Sequence, residues 1–302
     1  AASRRADRCC AGVASGSRTL RSTLRPFALA MTRTRLDKAL VDRGLVESRQ
    51  AAQAAIAAGL VRVGGAVADK AARQVAPDEP LVIDSGASRF VSRGGHKLQG
   101  ALDLFDIVVK GRTAVDAGSA TGGFTDCLLQ AGVLRVLSVD VGYGQLHERL
   151  RSDPRVVSRE RQNVKELSRD SVIEALGEPE VDLLVADLSF TSLRPLLGVF
   201  LEIVGPTGEL LLLCKPQFEV GREIASKGRG VVRSREDRSE ALSGVLGSLR
   251  TAGAAIMGVV NSPILGPAGN AEFIIYARAQ GKEAADLERQ LESALTAAEG
   301  LE

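Results

Sequence analysis

Tryptophan, histidine and cysteine are scarce or missing in this chain of 302 residues. It contains no tryptophan, only two histidines, and four cysteines whose spacing matches no zinc site: Cys9, Cys10, Cys127 and Cys214. The chain thus has few histidine and cysteine side chains that could ligate a metal, and no metal is expected. The two interior cysteines lie in apolar segments and are expected to be reduced thiols of a cytoplasmic protein. No apolar run reaches the roughly 20 residues that span a bilayer.

Charge is unevenly distributed along the chain, although the net charge is only +2. Residues 1–100 carry 17 Lys and Arg against 8 Asp and Glu, whereas the remaining residues carry 22 against 29. The basic excess at the front indicates a polyanionic partner there. Solvated surface charge is the alternative. The length suffices for one large domain and one small domain.

Residues 1–30 are rich in Arg, Ser and Ala, nearly free of acidic residues, and lack hydrophobic periodicity. This composition fits an organellar transit peptide. It fits equally an untranslated upstream stretch joined to a true start at Met31, and we favour that interpretation. In either case we expect residues 1–30 to be a disordered leader outside the fold.

A small module is predicted after this segment. In RLDKALVDRGLVESRQAAQAAIAAGLVRVGG, apolar residues recur at helical spacing up to Gly44, and a second helix runs from Ser48 to Gly59. LVRVGGAVAD predicts two short strands around a Gly-Gly turn, and a further strand ends near Gly86. Residues 31–86 thus form a small α+β domain, and residues 87–94 a linker.

This stretch resembles the S4-type RNA-binding domain over residues 33–86. The resemblance implies that helix starts and basic side chains bind folded RNA through phosphates and shape. The basic residues concerned are Arg33, Arg35, Lys38, Arg43, Arg49 and Arg62. A merely solvated helical face is the alternative. Aromatic residues do not alternate with the basic ones, which disfavours a platform that stacks single-stranded bases.

A glycine-rich turn opens the second part of the chain. In TAVDAGSATGGFTDCLLQAG, a strand over Thr113–Asp116 precedes a small-residue loop and a helix over Phe124–Gln130. The loop matches neither the G-x-G-x-x-G pattern for dinucleotides nor the lysine-containing loop for nucleoside triphosphates. It resembles the first motif of S-adenosylmethionine-dependent methyltransferases. The implied cofactor-binding residues are Asp116, Gly118, Gly122, Gly123, Phe124, Asp140, Asn163 and Asp187.

Two of these residues follow later strands. Asp140 ends the strand RVLSVD about 20 residues after the glycine loop, where such folds place an acid on the ribose hydroxyls. Asn163 follows a third strand and is a candidate contact for the adenine. A strand-end cap is the alternative for Asp140, and an ordinary loop residue is the alternative for Asn163.

Strands and helices alternate through the rest of the chain and predict an α/β fold. The expectation is a Rossmann-like, doubly wound, mostly parallel sheet covered on both faces. Two final strands without an intervening helix match the antiparallel hairpin that ends methyltransferase sheets. This domain is expected over residues 95–280, with a helix or tail over residues 281–302.

Charged residues interrupt two apolar runs of this sheet. VDLLVAD ends in Asp187 and LLLLCK ends in Lys215, and an unpaired charge buried between covered faces costs several kcal/mol. Both residues are therefore expected at the carboxyl edge of neighbouring strands, facing each other across the ligand cleft. Glu272 at the last strand and Lys97 in the preceding helix complete a set of four charges. A purely structural ion-pair network is the alternative.

The four charges resemble the lysine–aspartate–lysine–glutamate tetrad of ribose 2′-O-methyltransferases related to the FtsJ family. The order S4 domain, SRGGHKL, DAGSATGGFTD, VDVGYGQL, ADLSF, KPQFEVG and NAEF is similar to the TlyA family, often labelled hemolysin A. The resemblance covers residues 31–279. It implies S-adenosylmethionine-dependent 2′-O-methylation of cytidine in ribosomal RNA, with Lys97, Asp187, Lys215 and Glu272 as catalytic residues.

The implied chemistry is physically reasonable because a ribose hydroxyl is a poor nucleophile until its proton is removed or its alkoxide stabilised. Lys215, held by Asp187 and Glu272, suits that role. Cys214 is a possible nucleophile for base methylation, but strand alternation predicts a core position.

Two alternatives to a ribose methyltransferase stay open. One is a membrane-active hemolysin, for which no suitable apolar segment is found. The other is an RNA-binding protein with an inactive methyltransferase fold. The residues do not fix the nucleotide, the ribosomal subunit or the oligomeric state. The segment 221–233 is expected to be a mobile loop or an ordinary surface loop.

Overall fold

The computed structural model describes residues 33–46, 48–83, 89–228 and 230–301. The expected leader at residues 1–30 and the expected end of the first module near Gly86 lie outside these ranges. None of the helices within them combines the length and the apolarity needed to cross a bilayer.

Within residues 33–46 and 48–83, the small module contains two helices and five short strands. Helices α1 and α2 span Leu36–Asp42 and Arg49–Ala57. The strands are β1 (Thr34–Arg35), β2 (Val61–Val63), β3 (Ala66–Val67), β4 (Gln74–Val75) and β5 (Leu81–Ile83). Strand β2 lies between β3 and β5, and β1 pairs with β4. The two helices and the Gly-Gly hairpin confirm the predicted pattern, whereas the two-residue strands β1 and β4 are too short to show periodicity.

The ends of these helices follow from their sequence. The Ser48 side chain accepts a hydrogen bond from the Ala51 backbone N–H and caps the start of α2. Gly44 ends the first helical segment with a φ of 67°, in the left-handed region that glycine favours. The buried side chains of both helices meet the strand residues in one core, formed by Leu36, Leu40, Ile56, Val61 and Val63 with their neighbours.

The larger part of the chain is built around one seven-stranded sheet. Its strands are β6 (Thr113–Ala117), β7 (Arg135–Asp140), β8 (Val156–Glu160), β9 (Leu183–Ala186), β10 (Glu209–Cys214), β11 (Ala255–Asn261) and β12 (Phe273–Arg278). Their order is β11-β12-β10-β9-β6-β7-β8, and β12 runs antiparallel to both of its neighbours. The predicted α/β class, mostly parallel sheet and final hairpin are confirmed.

Helices cover both faces of this sheet. They are α3 (Gly94–Leu104), α4 (Gly123–Gln130), α5 (Glu148–Arg151), α6 (Arg169–Leu176), α7 (Leu197–Val204), α8 (Pro216–Glu219), α9 (Arg222–Lys227), α10 (Arg235–Thr251) and α11 (Leu287–Glu299). Helix α3 starts at Gly94, the last residue of the expected linker. A 3₁₀ turn at Arg194–Leu196 precedes α7.

The two faces of β10 illustrate how the sheet is buried. Leu210, Leu212 and Cys214 belong to the core that contains α6, α7 and α10, whereas Leu211 and Leu213 belong to the core beneath α3 and α4. This alternation follows from the period of two along a strand. Cys214 is fully buried, and the prediction that it is a core residue is confirmed.

A buried carboxylate organises the start of the small module. Asp37 is fully buried, and it accepts hydrogen bonds from Arg35 and Arg49 at 2.7–3.1 Å and from Gln53 at 3.2 Å. The hydrogen bonds from Arg35 hold the pKa of Asp37 well below its usual range, against the opposing effect of burial. One acidic residue thus fixes side chains from β1 and α2.

Replacing Asp37 with Ala should destabilise the small module by about 1–3 kcal/mol at pH 7, because the Lys38 N–H loses its acceptor and two guanidinium groups lose their partner. The pKa of Asp37 is lower in the folded state, so its stabilisation is present above about pH 4 and fades as the pH falls further. Hydrogen exchange of the α1 and α2 amides at pH 7 and pH 3 checks this. An equal difference between wild type and variant at both pH values contradicts the assignment.

Candidate active site

A cavity of about 600 Å³ lies at the carboxyl edge of the sheet. Loops that follow β6, β7, β8 and β9 supply its walls. The polar residues in the lining include Asp140, Gln162, Asn163, Lys165 and Asp187. Because ligands of open α/β sheets bind outside the carboxyl ends of the strands, this cavity is the candidate ligand site.

The glycine loop after β6 forms one wall of the cavity at Gly118. This residue has a φ of 84°, and a Cβ atom built on it would lie 2.8 Å from the carbonyl oxygen of Asp187 and 2.9 Å from the Leu188 side chain. A side chain at this position would therefore have to displace the loop after β9. Glycine at position 118 thus allows the loop after β6 to approach the backbone of the loop after β9 closely beside the cavity.

Three other predicted cofactor residues of this loop do not line the cavity. A Cβ atom on Gly122 would lie 2.2 Å from Leu150 Cδ1, and one on Gly123 would lie 2.2 Å from Ser92 Oγ. Phe124 is buried in the core beneath α3 and α4. These residues pack the loop and the start of α4 against neighbouring elements, and their assignment to the cofactor stays a prediction.

Asp116 lies beneath the same loop and is fully buried. Its Oδ2 atom accepts hydrogen bonds from the Thr125 backbone N–H at 2.9 Å and the Thr125 hydroxyl at 2.6 Å. Its Oδ1 atom has no hydrogen-bond partner within the described ranges. Burial raises the pKa of Asp116 to about 7, and the charge of Asp187 adds to the rise against the lowering effect of Thr125. Asp116 therefore ties β6 to α4 below the cavity.

Asp140 and Asn163 both line the cavity and both organise their own loops. Asp140 accepts hydrogen bonds from the backbone N–H groups of Ala120 at 2.8 Å and Gly142 at 2.7 Å. Asn163 accepts one from the Lys165 N–H at 3.0 Å. A carboxylate has about four acceptor positions, so Asp140 retains capacity for a ligand hydroxyl. The strand-end role of Asp140 and its place in the cavity wall are compatible.

The four predicted charges lie together as two ion pairs. Lys215 Nζ lies 2.6 Å from Asp187 Oδ1 and donates a hydrogen bond to Ser189 Oγ at 3.0 Å. Lys97 Nζ donates to Glu272 Oε2 at 2.5 Å. The side chain of Asp187 is 23% exposed and that of Lys215 is 9% exposed, whereas Lys97 and Glu272 are more deeply buried. The pair at Asp187 is therefore the one that reaches the cavity.

The sheet order explains these positions. Strands β9 and β10 are parallel neighbours, so Asp187 and Lys215 follow adjacent strand ends. Strand β12 pairs antiparallel with β10, and the last pair in register is Cys214 with Phe273. The next residue beyond that pair on each strand is Lys215 and Glu272 respectively. Strand pairing therefore brings the two ion pairs to one place, although Glu272 bonds to Lys97 and not to Lys215 as expected.

Two exposed aromatic residues were missed by the sequence analysis. Phe190 lines the cavity, is 92% exposed, and has a φ of 65° that is rare for a bulky residue. It packs on Phe218 with ring centroids 5.6 Å apart. Tyr143 is 69% exposed, and the Arg161 guanidinium lies 4.2 Å from its ring centroid. Among the residues that the structure describes, no other aromatic side chain is exposed.

The six predicted RNA-binding residues of the small module are all exposed. Several also make contacts within the module. Arg35 and Arg49 bind Asp37, Lys38 pairs with Asp42 at 2.6 Å, and Arg43 donates to the carbonyl oxygens of Ala76, Pro77 and Glu79. These contacts fix their direction without covering them, which is compatible with a preformed basic surface.

Comparison with known families agrees with this geometry. The model of the FtsJ-like methyltransferase family matches residues 90–279, and that of the S4 domain matches residues 34–81. The larger part of the chain is thus of the FtsJ-like methyltransferase class.

Individual relatives show to which family within this class the chain belongs. The 16S/23S rRNA (cytidine-2'-O)-methyltransferase TlyA of Mycobacterium tuberculosis is 44% identical over 249 residues, which are 82% of this chain and 91% of the relative. Hemolysin A of Brachyspira hyodysenteriae is 34% identical over 80% of this chain and 98% of its own length. A solved structure from Streptococcus thermophilus, provisionally named a hemolysin, superimposes with a TM-score of 0.69 at 33% identity, covering 90% and 97% of the two chains. The chain belongs to the TlyA family of FtsJ-like methyltransferases.

Replacing Gly118 with Ala should lower the melting temperature more than the same change at Gly111. Both glycines have positive φ values, 84° and 76°, so both variants bear a backbone strain of about 1–2 kcal/mol. A Cβ atom on Gly111 meets nothing within 4 Å, whereas one on Gly118 meets the Asp187 carbonyl. Thermal unfolding of both variants checks the difference, and equal melting temperatures contradict the close approach at Gly118.

Proposed function

We propose that this protein transfers a methyl group from S-adenosylmethionine to the ribose 2′-hydroxyl of a cytidine in ribosomal RNA. The observation that carries the proposal is the ion pair between Lys215 and Asp187, in which Asp187 lines the cavity, with the Lys97–Glu272 pair at the adjoining strand end. The 44% identical relative, which bears the name 16S/23S rRNA (cytidine-2'-O)-methyltransferase, supports the substrate class. A ribosomal substrate implies the cytoplasm as the site of action.

The residues of the cavity fit S-adenosylmethionine. Its volume of 600 Å³ lies within the usual range for sites that enclose a ligand of that size. Two carboxylates in the lining, Asp140 and Asp187, suit a cationic ligand, and apolar walls from Val139, Val141 and Leu188 suit an aromatic base. Asp140 would hold the ribose hydroxyls of the cofactor, Asn163 its adenine, and the backbone at Gly118 its methionine portion. When bound, the cofactor supplies a methyl group on a sulfonium centre.

Lys215 is assigned to the hydroxyl that accepts the methyl group. A ribose hydroxyl needs its proton removed or its developing negative charge stabilised. A neutral amine held at the hydroxyl can take the proton, and an ammonium group there can stabilise the charge. Asp187 and Ser189 hold Lys215 Nζ, so the group is oriented before the substrate arrives. Lys97 and Glu272 are assigned to support that arrangement from the neighbouring strand end.

The structure disfavours a covalent route through Cys214. A cysteine nucleophile reacts as the thiolate, and burial raises the pKa of Cys214 well above its usual value. Its side chain is fully buried in the core that contains α7 and α10. Methylation at a ribose oxygen therefore suits this site better than methylation at a base carbon.

RNA binding is assigned to the small module and to the rim of the cavity. Phosphates are expected to contact the exposed basic residues of the module, Arg33, Arg35, Lys38, Arg43, Arg49 and Arg62. Phe190 offers an exposed ring at the cavity rim on which a base can stack. The larger domain then acts on the nucleotide that the module and the rim hold in place.

Replacing Lys215 with Ala should lower kcat for ribosomal RNA methylation by about 10²-fold or more, because activation of the hydroxyl matters only in the transition state. Affinity for S-adenosylmethionine should stay nearly unchanged. Calorimetric titration of the cofactor and methyl incorporation into ribosomal RNA measure the two quantities. Lys110→Ala is the matched control, because Lys110 is an exposed lysine that lies before β6 at the opposite sheet edge. Substantial turnover by Lys215→Ala contradicts the assigned role.

Replacing both Arg33 and Lys38 with Ala should weaken ribosomal RNA binding and make it less dependent on salt. Each lost phosphate contact reduces the slope of log affinity against log salt by about 1. The matched control is Arg289→Ala, which removes a charge of the same sign from α11, where the side chain is 82% exposed. Filter binding at several salt concentrations gives the slopes. Equal slopes for the double variant and the control argue against the module as the RNA-binding surface.

A further inference from the structure

The loop after β9 carries Asp187 and the loop after β10 carries Lys215, and three contacts join these loops. The first is the Lys215 contact with Asp187 and Ser189. The second is the packing of Phe218 on Phe190. The third is the contact of Glu219 with Ser192, Leu193 and Arg194, which precede α7. These four residues are not among those that line the cavity.

Glu219 makes several bonds in a buried place. Its side chain is 1% exposed. Oε2 accepts a hydrogen bond from the Ser192 hydroxyl at 2.6 Å, and Oε1 accepts one from the Leu193 backbone N–H at 2.7 Å. The Arg194 guanidinium lies 3.5 Å from Oε2 and also donates to the Glu219 carbonyl at 3.4 Å. Both carboxylate oxygens are thus used, and all the partners come from one stretch of the loop after β9.

The position of Glu219 in the chain gives these bonds a consequence for Lys215. Helix α8 has only four residues, Pro216–Glu219, and Lys215 immediately precedes it. Fixing Glu219 therefore fixes the backbone from which the Lys215 side chain extends. Likewise, Ser192 lies five residues after Asp187, so the anchored stretch also limits where the Asp187 loop can lie.

A buried carboxylate is an energetically unfavourable way to join two loops. Its burial removes it from water, and only one cation, the partly exposed Arg194, compensates for it among the described residues. Packed apolar residues would join the loops without that cost. Two short charge-assisted hydrogen bonds do set distance and direction more closely than apolar packing can.

We infer that Glu219 is a positioning residue for the methyl transfer, which holds the Lys215 loop at a fixed distance from the Asp187 loop. The inference rests on the proposed function, because its consequence is measured on that reaction. Misplacing a reacting group by about 1 Å can cost on the order of 10²-fold in rate without affecting binding. The expected effect of losing Glu219 is therefore on kcat and not on affinity.

The test uses the full chain with Glu219→Ala and Glu219→Gln. Glu219→Ala should lower kcat for ribosomal RNA on the order of 10²-fold, with KM for RNA and the Kd of S-adenosylmethionine within about twofold of wild type. Glu219→Gln keeps an oxygen for the Leu193 N–H, so it should restore part of the lost kcat. A residue that only supports stability would change the melting temperature without this selective change in kcat.

Glu209→Ala is the matched control for a general loss of stability. Glu209 lies at the opposite end of the same strand, β10, and its carboxylate binds Arg112 at 2.6 Å, Tyr276 at 2.5 Å and Arg278 at 3.0 Å. Its loss should lower the melting temperature by an amount comparable to Glu219→Ala and leave kcat within about twofold of wild type, since it is remote from the cavity.

Each outcome separates the inference from the proposed function. A kcat within threefold of wild type for folded Glu219→Ala overturns the inference, as does a loss of kcat that Glu209→Ala reproduces. If Glu219→Ala does not fold, an unchanged kcat for Glu219→Gln overturns it and a fall in kcat of about tenfold with unchanged affinity supports it. A wild-type protein that methylates no ribosomal RNA refutes the proposed function instead.

Discussion

The contact between Lys215 and Asp187 is the constraint on which the rest of the site depends. Both residues end apolar strands in a sheet that is covered on both faces, where an unpaired charge costs several kcal/mol. The carboxyl edge of the sheet is where the two charges can pair and still reach a ligand. The parallel pairing of β9 and β10 meets this requirement, because it places Lys215 beside Asp187, which lines the cavity.

Buried carboxylates recur as organising groups elsewhere in the molecule. Asp37 gathers two arginines in the small module, Asp116 ties β6 to α4, and Glu219 joins two loops beside the cavity. Each accepts several hydrogen bonds from a different segment, so each converts a loss of hydration into a fixed geometry. The proposed RNA-binding and catalytic surfaces rest on such interior contacts.

Much of this arrangement could be predicted from local sequence pattern. Three features are recognisable from sequence windows of about 20 residues, because hydrophobic periodicity reports local order. They are the apolar runs that end in Asp187 and Lys215, the glycine loop after Asp116, and the closing hairpin. The pairing of Glu272 with Lys97 had no local signal, because it depends on how α3 packs against the start of β12. The packing roles of Gly122 and Phe124 depend on distant partners, Leu150 and α3, for the same reason. The positive φ of Phe190 could not be predicted from its residue type, because the conformation of its loop imposes it.

The measurement that tests the account most directly is nucleoside mass spectrometry of ribosomal RNA incubated with the purified protein and isotopically labelled S-adenosylmethionine. A lysine that activates a ribose hydroxyl predicts label in 2′-O-methylcytidine, at an initial rate about 10²-fold or more lower in the same reaction with Lys215→Ala. Label in a base-methylated nucleoside, or labelling by Lys215→Ala at a rate near that of the wild type, would contradict the assignment of the Lys215–Asp187 pair to ribose methylation.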